Sequence, residues 1–315
     1  MIVQMSKDTD SVATAPRKVL ISGASGMLGA ALRRQLADRG TPVVQLVRRA
    51  PAGLNELAWN PAASPAVANP EPLEGCAAAI HLSGASVAGH RWTEAYTREL
   101  FSSRVDSTRA LAGLLAGLRT PPRTLIVASA MGIYGDRGDD VLDESSVPGT
   151  GFLADLCRAW EEAARPAREA GIRVVHARFG VVLGHGPGAL GKMLPLFRLG
   201  LGGRLGSGRQ WMSWMSLDDA IAAIFFALEN KNLAGPVNVT APNPVTNAEF
   251  TRALAKQLHR PASLPAPAFA LRLALGEMAD EALLASARVE PRALLTAGFR
   301  FVHPKLPEAL AAALR

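Results

Sequence analysis

The chain has 315 residues, 49% of them hydrophobic and 19% charged, a balance that excludes disorder for most of its length and suits one large α/β unit plus a smaller appendage. Its formal net charge of +7 comes from scattered basic residues, with no dense Lys/Arg block interleaved with aromatics. That pattern argues against a nucleic-acid groove and leaves a surface attractive to small anions. Residues 1–16 carry Lys7, Asp8 and Asp10 among small polar groups, lack the apolar core of a secretory signal, and read as a disordered leader. Lys18 to Ser22 then reads as a buried strand, followed by a glycine turn and an amphipathic helix that Gly40 stops near Arg39. Val43 to Val47 is a second strand and Cys76 to Leu82 a third, apolar enough to be covered on both faces. A long helix is expected over 92–118, a strand over 124–129, a helix over 152–170 and a strand over 172–178. This alternation predicts parallel crossovers and a doubly wound α/β (Rossmann) sheet over residues 17–180. Beyond Gly180 glycines cluster up to Gly208, and helices are expected near 217–229, 247–259 and 291–297. Residues 181–315 read as a smaller C-terminal substrate lobe, interleaved with the first part and lying over the carboxyl edge of the sheet.

The two cysteines, Cys76 and Cys157, lie far apart in apolar or helical patterns, the usage of a reducing compartment with neither a disulfide framework nor metal-ligand spacing. No apolar run approaches the ~20 residues needed to cross a bilayer. The longest stretch, 266–287, is broken by Arg272, Glu277, Asp280 and Glu281. The expectation is a cytoplasmic protein with a small-molecule substrate, no metal, no membrane or nucleic-acid partner, and a homodimer allowed by fold analogy alone.

The first chemical signal is the turn Gly23-Ala24-Ser25-Gly26-Met27-Leu28-Gly29 between strand and helix. Its first glycine permits the tight turn and its second lets backbone approach a pyrophosphate. The third allows close helix–strand packing, while the helix N-terminus offers free N–H groups. The strand context on one side and the helix on the other give this common pattern its weight. After the second strand an NAD site places an acid for the ribose 2′-hydroxyl, whereas here stand Arg48 and Arg49. A guanidinium binds a 2′-phosphate that a carboxylate would repel, so NADP(H) is favoured, with Arg48 the better choice. Two solvated arginines at a strand end would look the same.

The glycine turn, His81 to Gly84, Arg91-Trp92-Thr93 and Ser103-Arg104-Val105 resemble atypical, extended short-chain dehydrogenase/reductases, and more narrowly the NAD(P)-dependent epimerase family proteins. Ser129 to Gly135, Trp160-Glu161, Arg178 to Gly184, Gly206 to Gln210 and Trp214 to Asp219 extend the likeness, as do Thr246 to Phe250 and Arg288-Val289. It spans residues 18 to about 312. The resemblance implies cofactor contacts from Leu82 and Ser83 at a strand end, from Glu99 and Arg104 on the following helix, and from Val182 over the nicotinamide. Read as residues alone, Glu99 and Arg104 are equally an ordinary helix-surface pair.

One departure bears on the chemistry. The superfamily resembled here uses a serine with a Tyr-x-x-x-Lys pair, in which the lysine lowers the tyrosine pKa for acid–base work. In its place this chain has Leu153-Ala154-Asp155-Leu156-Cys157, which supplies neither phenol nor fixed cation. Ser129 survives, and Tyr134, just past the same strand, is the remaining acid–base candidate, although a packed tyrosine with a satisfied hydroxyl is the competing reading. Asp143 and Glu144 are exposed-loop alternatives, and His176 and His185 carry no distinct signal. Gln210, Trp211 and Trp214 are candidate substrate-pocket residues. Two functions follow: an NADP(H)-dependent, epimerase-like oxidoreductase, or a catalytically degenerate NADP(H)-binding regulatory or scaffold protein.

Overall fold

A computed structural model describes residues 18–186 and 188–315, so the expected leader at 1–16 lies outside the described residues. The first half holds the expected β1 (Val19–Ser22), α1 (Met27–Asp38), β2 (Val43–Val47) and β4 (Ala78–His81), with an edge strand β3 (Glu56–Ala58) that no apolar run signalled. The helix expected over 92–118 starts at α2 (Glu94–Phe101), where the Thr93 hydroxyl accepts from the Tyr96 N–H. It passes through a π-turn at Ser102–Asp106 into α3 (Ser107–Ala116). Next come β5 (Thr124–Ala130), β6 (Val141–Leu142), α4 (Phe152–Glu162), α5 (Arg165–Glu169) and β7 (Arg173–Phe179). The single helix expected over 152–170 is thus two, with Pro166 in the first turn of the second.

In the later chain the helices expected near 217–229, 247–259 and 291–297 are present, beside elements the sequence pattern did not signal. After β8 (Val181–Leu183), the glycine-rich stretch contains α6 (Ala189–Arg198), which carries Pro195 within it. It continues through β9 (Trp211–Met212), β10 (Trp214–Ser216), α7 (Leu217–Glu229) and β11 (Gly235–Val239). After β12 (Val245–Thr246), α8 (Asn247–Leu258) opens with a full capping box between Thr246 and Glu249. The final elements are α9 (Ala268–Leu275), β13 (Arg288–Val289), α10 (Arg292–Thr296) and α11 (Leu306–Ala313).

Seven parallel strands form the central sheet in the order β11-β7-β5-β4-β1-β2-β3. Leu20, Ile21, Ile80, Leu125 and Ile126 have no accessible surface, as strands covered on both faces require. The chain reverses its direction of winding at β1, between β2 and β4, and ligands of such sheets bind in the crevice beyond the strand ends there. The seventh strand comes from the C-terminal half. Of the remaining short pairs, β6–β13 joins that half to the segment after β5, while β8–β10 and β9–β12 lie within it.

Candidate functional site

At the reversal point lies a cleft of about 450 Å³ lined by the glycine turn, the end of β2 and the segment after β4. Gly23 has φ +74°, and a Cβ there would lie 2.6 Å from the Leu82 carbonyl carbon. A Cβ on Gly29 would stand 2.2 Å from the Gly23 oxygen, so both glycines are required by backbone contact. Gly26, by contrast, has nothing nearer than 3.5 Å and faces open space with Ser25. It also caps α1 without a side chain, and no acid stands in the first turn, so the N–H groups of that turn have no side-chain acceptor. An anion is the natural partner for such an end. Met27 and Leu28 begin the helix, with the Met27 sulfur against the backbone of Gly184 and Gly188.

Three arginines enter the same cleft. Arg48 is exposed and makes no ion pair among the described residues. Arg49 is bound by both carboxylate oxygens of Glu56, at 2.8 and 2.6 Å. The Glu56 carboxyl is held below its ordinary range, first by Arg49 and then by the Ala52 N–H. Arg33, on α1, donates to Gln45 Oε1 at 3.0 Å.

Leu82 and Ser83 line the opposite wall. Under them, His81 is wholly buried, with Nδ1 2.5 Å from the Ser22 hydroxyl and Nε2 3.2 Å from that of Ser107. Burial pushes its pKa down to about 4, so it is a neutral bridge between β1, β4 and α3. Arg104 is buried too. Its guanidinium donates to the carbonyls of Ala85 (2.7 Å) and Leu100 (3.2 Å) and stands 5.2 Å from the Trp160 ring. It therefore fastens the segment after Ser83 and is absent from the lining of the cleft. Glu99 is exposed on α2, and Val182 on β8 pairs with Met215; neither lines the cleft.

The acid–base candidates lie elsewhere, across β5, β7 and β11, where Ser129, Arg178 and Asn238 are in register on neighbouring strands. Ser129 Oγ donates to Glu161 Oε1 at 2.8 Å. Arg178 grips both Glu161 oxygens, at 2.8 and 2.9 Å, and donates to the Tyr134 hydroxyl at 3.0 Å. Tyr134 in turn donates to Asn238 Oδ1 at 2.7 Å. Burial opposes the Arg178 charge, but Glu161 and Tyr134 outweigh it and its pKa is raised. Tyr134 has no accessible surface, and burial raises its phenol despite Arg178. The Tyr134 hydroxyl, expected as an acid–base group, is thus enclosed, committed to two partners and held protonated. Cys157, where the superfamily resembled above has lysine, is a buried thiol pushed up to about 12.

Of the three residues expected in a substrate pocket, two are buried. Trp214 has no exposure and donates to the Asn243 carbonyl at 3.0 Å. Gln210 is buried and donates to the carbonyls of Leu205 and Leu283. Trp211 is half-buried, bonded to Asp139 at 2.8 Å, with Arg288 4.4 Å over its ring. Sequence reasoning did not single out Glu161, Arg178, Asn238, Arg33 or Gln45 as site residues. A charged residue ending the apolar run Ile172–Arg178 was the one available signal. Among the described residues no His/Cys/Asp/Glu cluster could hold a metal, and no helix is long and apolar enough to cross a membrane.

Residues 19–240 match the model of the NAD dependent epimerase/dehydratase family, and residues 266–313 match a domain of unknown function, DUF1731. An epimerase family protein of Mycobacterium bovis is 48% identical over 93% of this chain and 96% of its own length. The human epimerase family protein SDR39U1 is 35% identical over 93% of this chain and 98% of its own. The crystal structure of human SDR39U1 (isoform 2) with NADPH superposes with a TM-score of 0.87 at 33% identity, covering 94% of this chain and 98% of that one.

Proposed function

This chain belongs to the NAD dependent epimerase/dehydratase family, and from that premise we propose that it is an NADP(H)-dependent oxidoreductase. Its substrate is a small carbonyl, hydroxyl or nucleotide-sugar-like molecule held between residues 17–180 and the smaller part, 181–315. The observation that carries the reading is the cleft in which an uncapped helix end meets Arg48, with no acid following β2. NADP(H), when bound, supplies or takes the hydride. The first-turn N–H groups beside Gly26 hold the pyrophosphate and Arg48 holds the 2′-phosphate. Leu82 and Ser83 shape the path along which the nucleotide lies. Arg104 fixes that path from below. Ser129, polarised by Glu161, is the group left to pass a proton to or from a substrate oxygen. A cytoplasmic site of action agrees with two free, buried cysteines, and a homodimer belongs to the same reading by fold analogy.

The enclosure of Tyr134 and the missing lysine favour a second reading, an NADP(H)-binding regulatory or scaffold protein. Turnover separates the two. Oxidation of NADPH is followed across a panel of carbonyl compounds for the wild type and for Ser129→Ala. The enzyme reading expects turnover with at least one compound and a fall of about 100-fold or more in the variant. Turnover that survives Ser129→Ala removes the serine from the mechanism, and NADPH binding without turnover across the panel favours the regulatory reading.

A further inference from the structure

We infer that Arg33, held by the buried amide of Gln45, is a second specificity-determining cation for the dinucleotide 2′-phosphate beside Arg48; this rests on the NADP(H) reading of the cleft. Arg33 stands on the second turn of α1, and Gln45 sits in the middle of β2, in register with Ile21 and Glu56. Gln45 is only 4% exposed, and a polar side chain in a parallel sheet is costly unless it is bonded. Its oxygen accepts from Arg33 Nη1 at 3.0 Å, and both residues line the cleft.

The choice of amide over acid at this position has a consequence. A carboxylate at residue 45 would orient Arg33 but cancel its charge. The amide orients it and leaves the charge intact. Arg49 is the contrary case: its two nitrogens are taken by Glu56, which also accepts the Ala52 N–H. Three guanidiniums thus face the cleft against one carboxylate, and Arg33 and Arg48 make no ion pair among the described residues. A 2′-phosphate monoester carries about −1.5 to −2 at neutral pH, which two free arginines match. The two unphosphorylated ribose hydroxyls of NADH offer Arg33 no anion. Its contribution therefore appears in the preference between the two nucleotides and leaves the common pyrophosphate grip unaltered.

Calorimetric titration of the full chain with NADPH and with NADH tests this. In Arg33→Gln the NADPH dissociation constant rises by about 10-fold or more and the NADH constant stays put. Gln45→Glu moves the same ratio the same way, Arg33→Lys recovers part of the loss, and the paired change Arg49→Ala with Glu56→Gln, which removes the cation and its carboxylate together, costs less than Arg33→Gln. Arg33 is exposed, so Arg33→Gln carries the test even where Gln45→Glu perturbs folding. An Arg33→Gln protein that keeps the wild-type NADPH:NADH ratio overturns the inference, as does a larger loss in the paired Arg49→Ala, Glu56→Gln protein. A wild type with no NADPH preference is a different outcome, because it brings down the NADP(H) reading itself.

Discussion

The carboxyl edge of the sheet ends in two polar regions built on opposite plans. Beside β1 and β2, charged groups point outward into a cleft, α1 begins without a cap, and Arg48 has no counter-ion among the described residues. Across β5, β7 and β11, charged groups point inward, and Ser129, Glu161, Arg178, Tyr134 and Asn238 satisfy one another. The first region leaves hydrogen-bonding capacity for a ligand. The second spends it on holding strands and α4 together, which is why a tyrosine within it makes a poor acid–base group. Ser129 belongs to the same network: it stands one residue before the end of β5, is 3% exposed and spends its proton on Glu161, so a role for it in proton transfer needs that bond to be exchanged for one to substrate.

Arg178→Ala breaks the second region and spares the first. It leaves the Glu161 carboxylate largely buried without its partner, and loss of such a partner costs about 4 kcal/mol. Urea unfolding should register that loss, while the preference for NADPH over NADH is retained. A variant that is stable but has lost the preference would merge the two regions into one site.

A smaller effect comes from His81 beneath the cleft. Its pKa is about 4 folded against an ordinary 6.5, so between those values the unfolded chain holds a proton that the folded chain lacks. Stability is complete above pH 6.5 and declines by about 3 kcal/mol as the pH falls to 4. His81→Asn cannot titrate and should show a shallower acid limb by that amount. Equal limbs would mean that the Ser22–His81–Ser107 bridge is solvated.

The cleft was legible in the sequence because its determinants are local. Gly23, Gly26, Gly29 and Arg48 fall within one strand–turn–helix–strand run whose periods are unambiguous. Arg33 was not, since an arginine on the polar face of a helix looks the same whether it faces water or Gln45. The buried cluster was unreadable for a different reason: its members lie up to 109 residues apart, from Ser129 to Asn238, and meet only through strand register. The strand Gly235–Val239 was hidden by its own Gly, Pro and Asn. Helix Ala268–Leu275 was masked by the prolines before it, one of which, Pro267, is its N-cap. Helix Ala189–Arg198 was masked by flanking glycines and Pro195.

The central claim is that the open region is an NADP(H) site whose preference is set by arginine. Thermal melting with NADPH and with NADH, for the wild type and for Arg48→Ala, tests it most directly. A nucleotide at 100 times its dissociation constant adds about 2.7 kcal/mol of stability. The account predicts a shift of that size with NADPH, a clearly smaller one with NADH at the same concentration, and a narrower gap between the two in Arg48→Ala, where Arg33 alone still favours NADPH. Equal wild-type shifts, or a response to NADH alone, would contradict it.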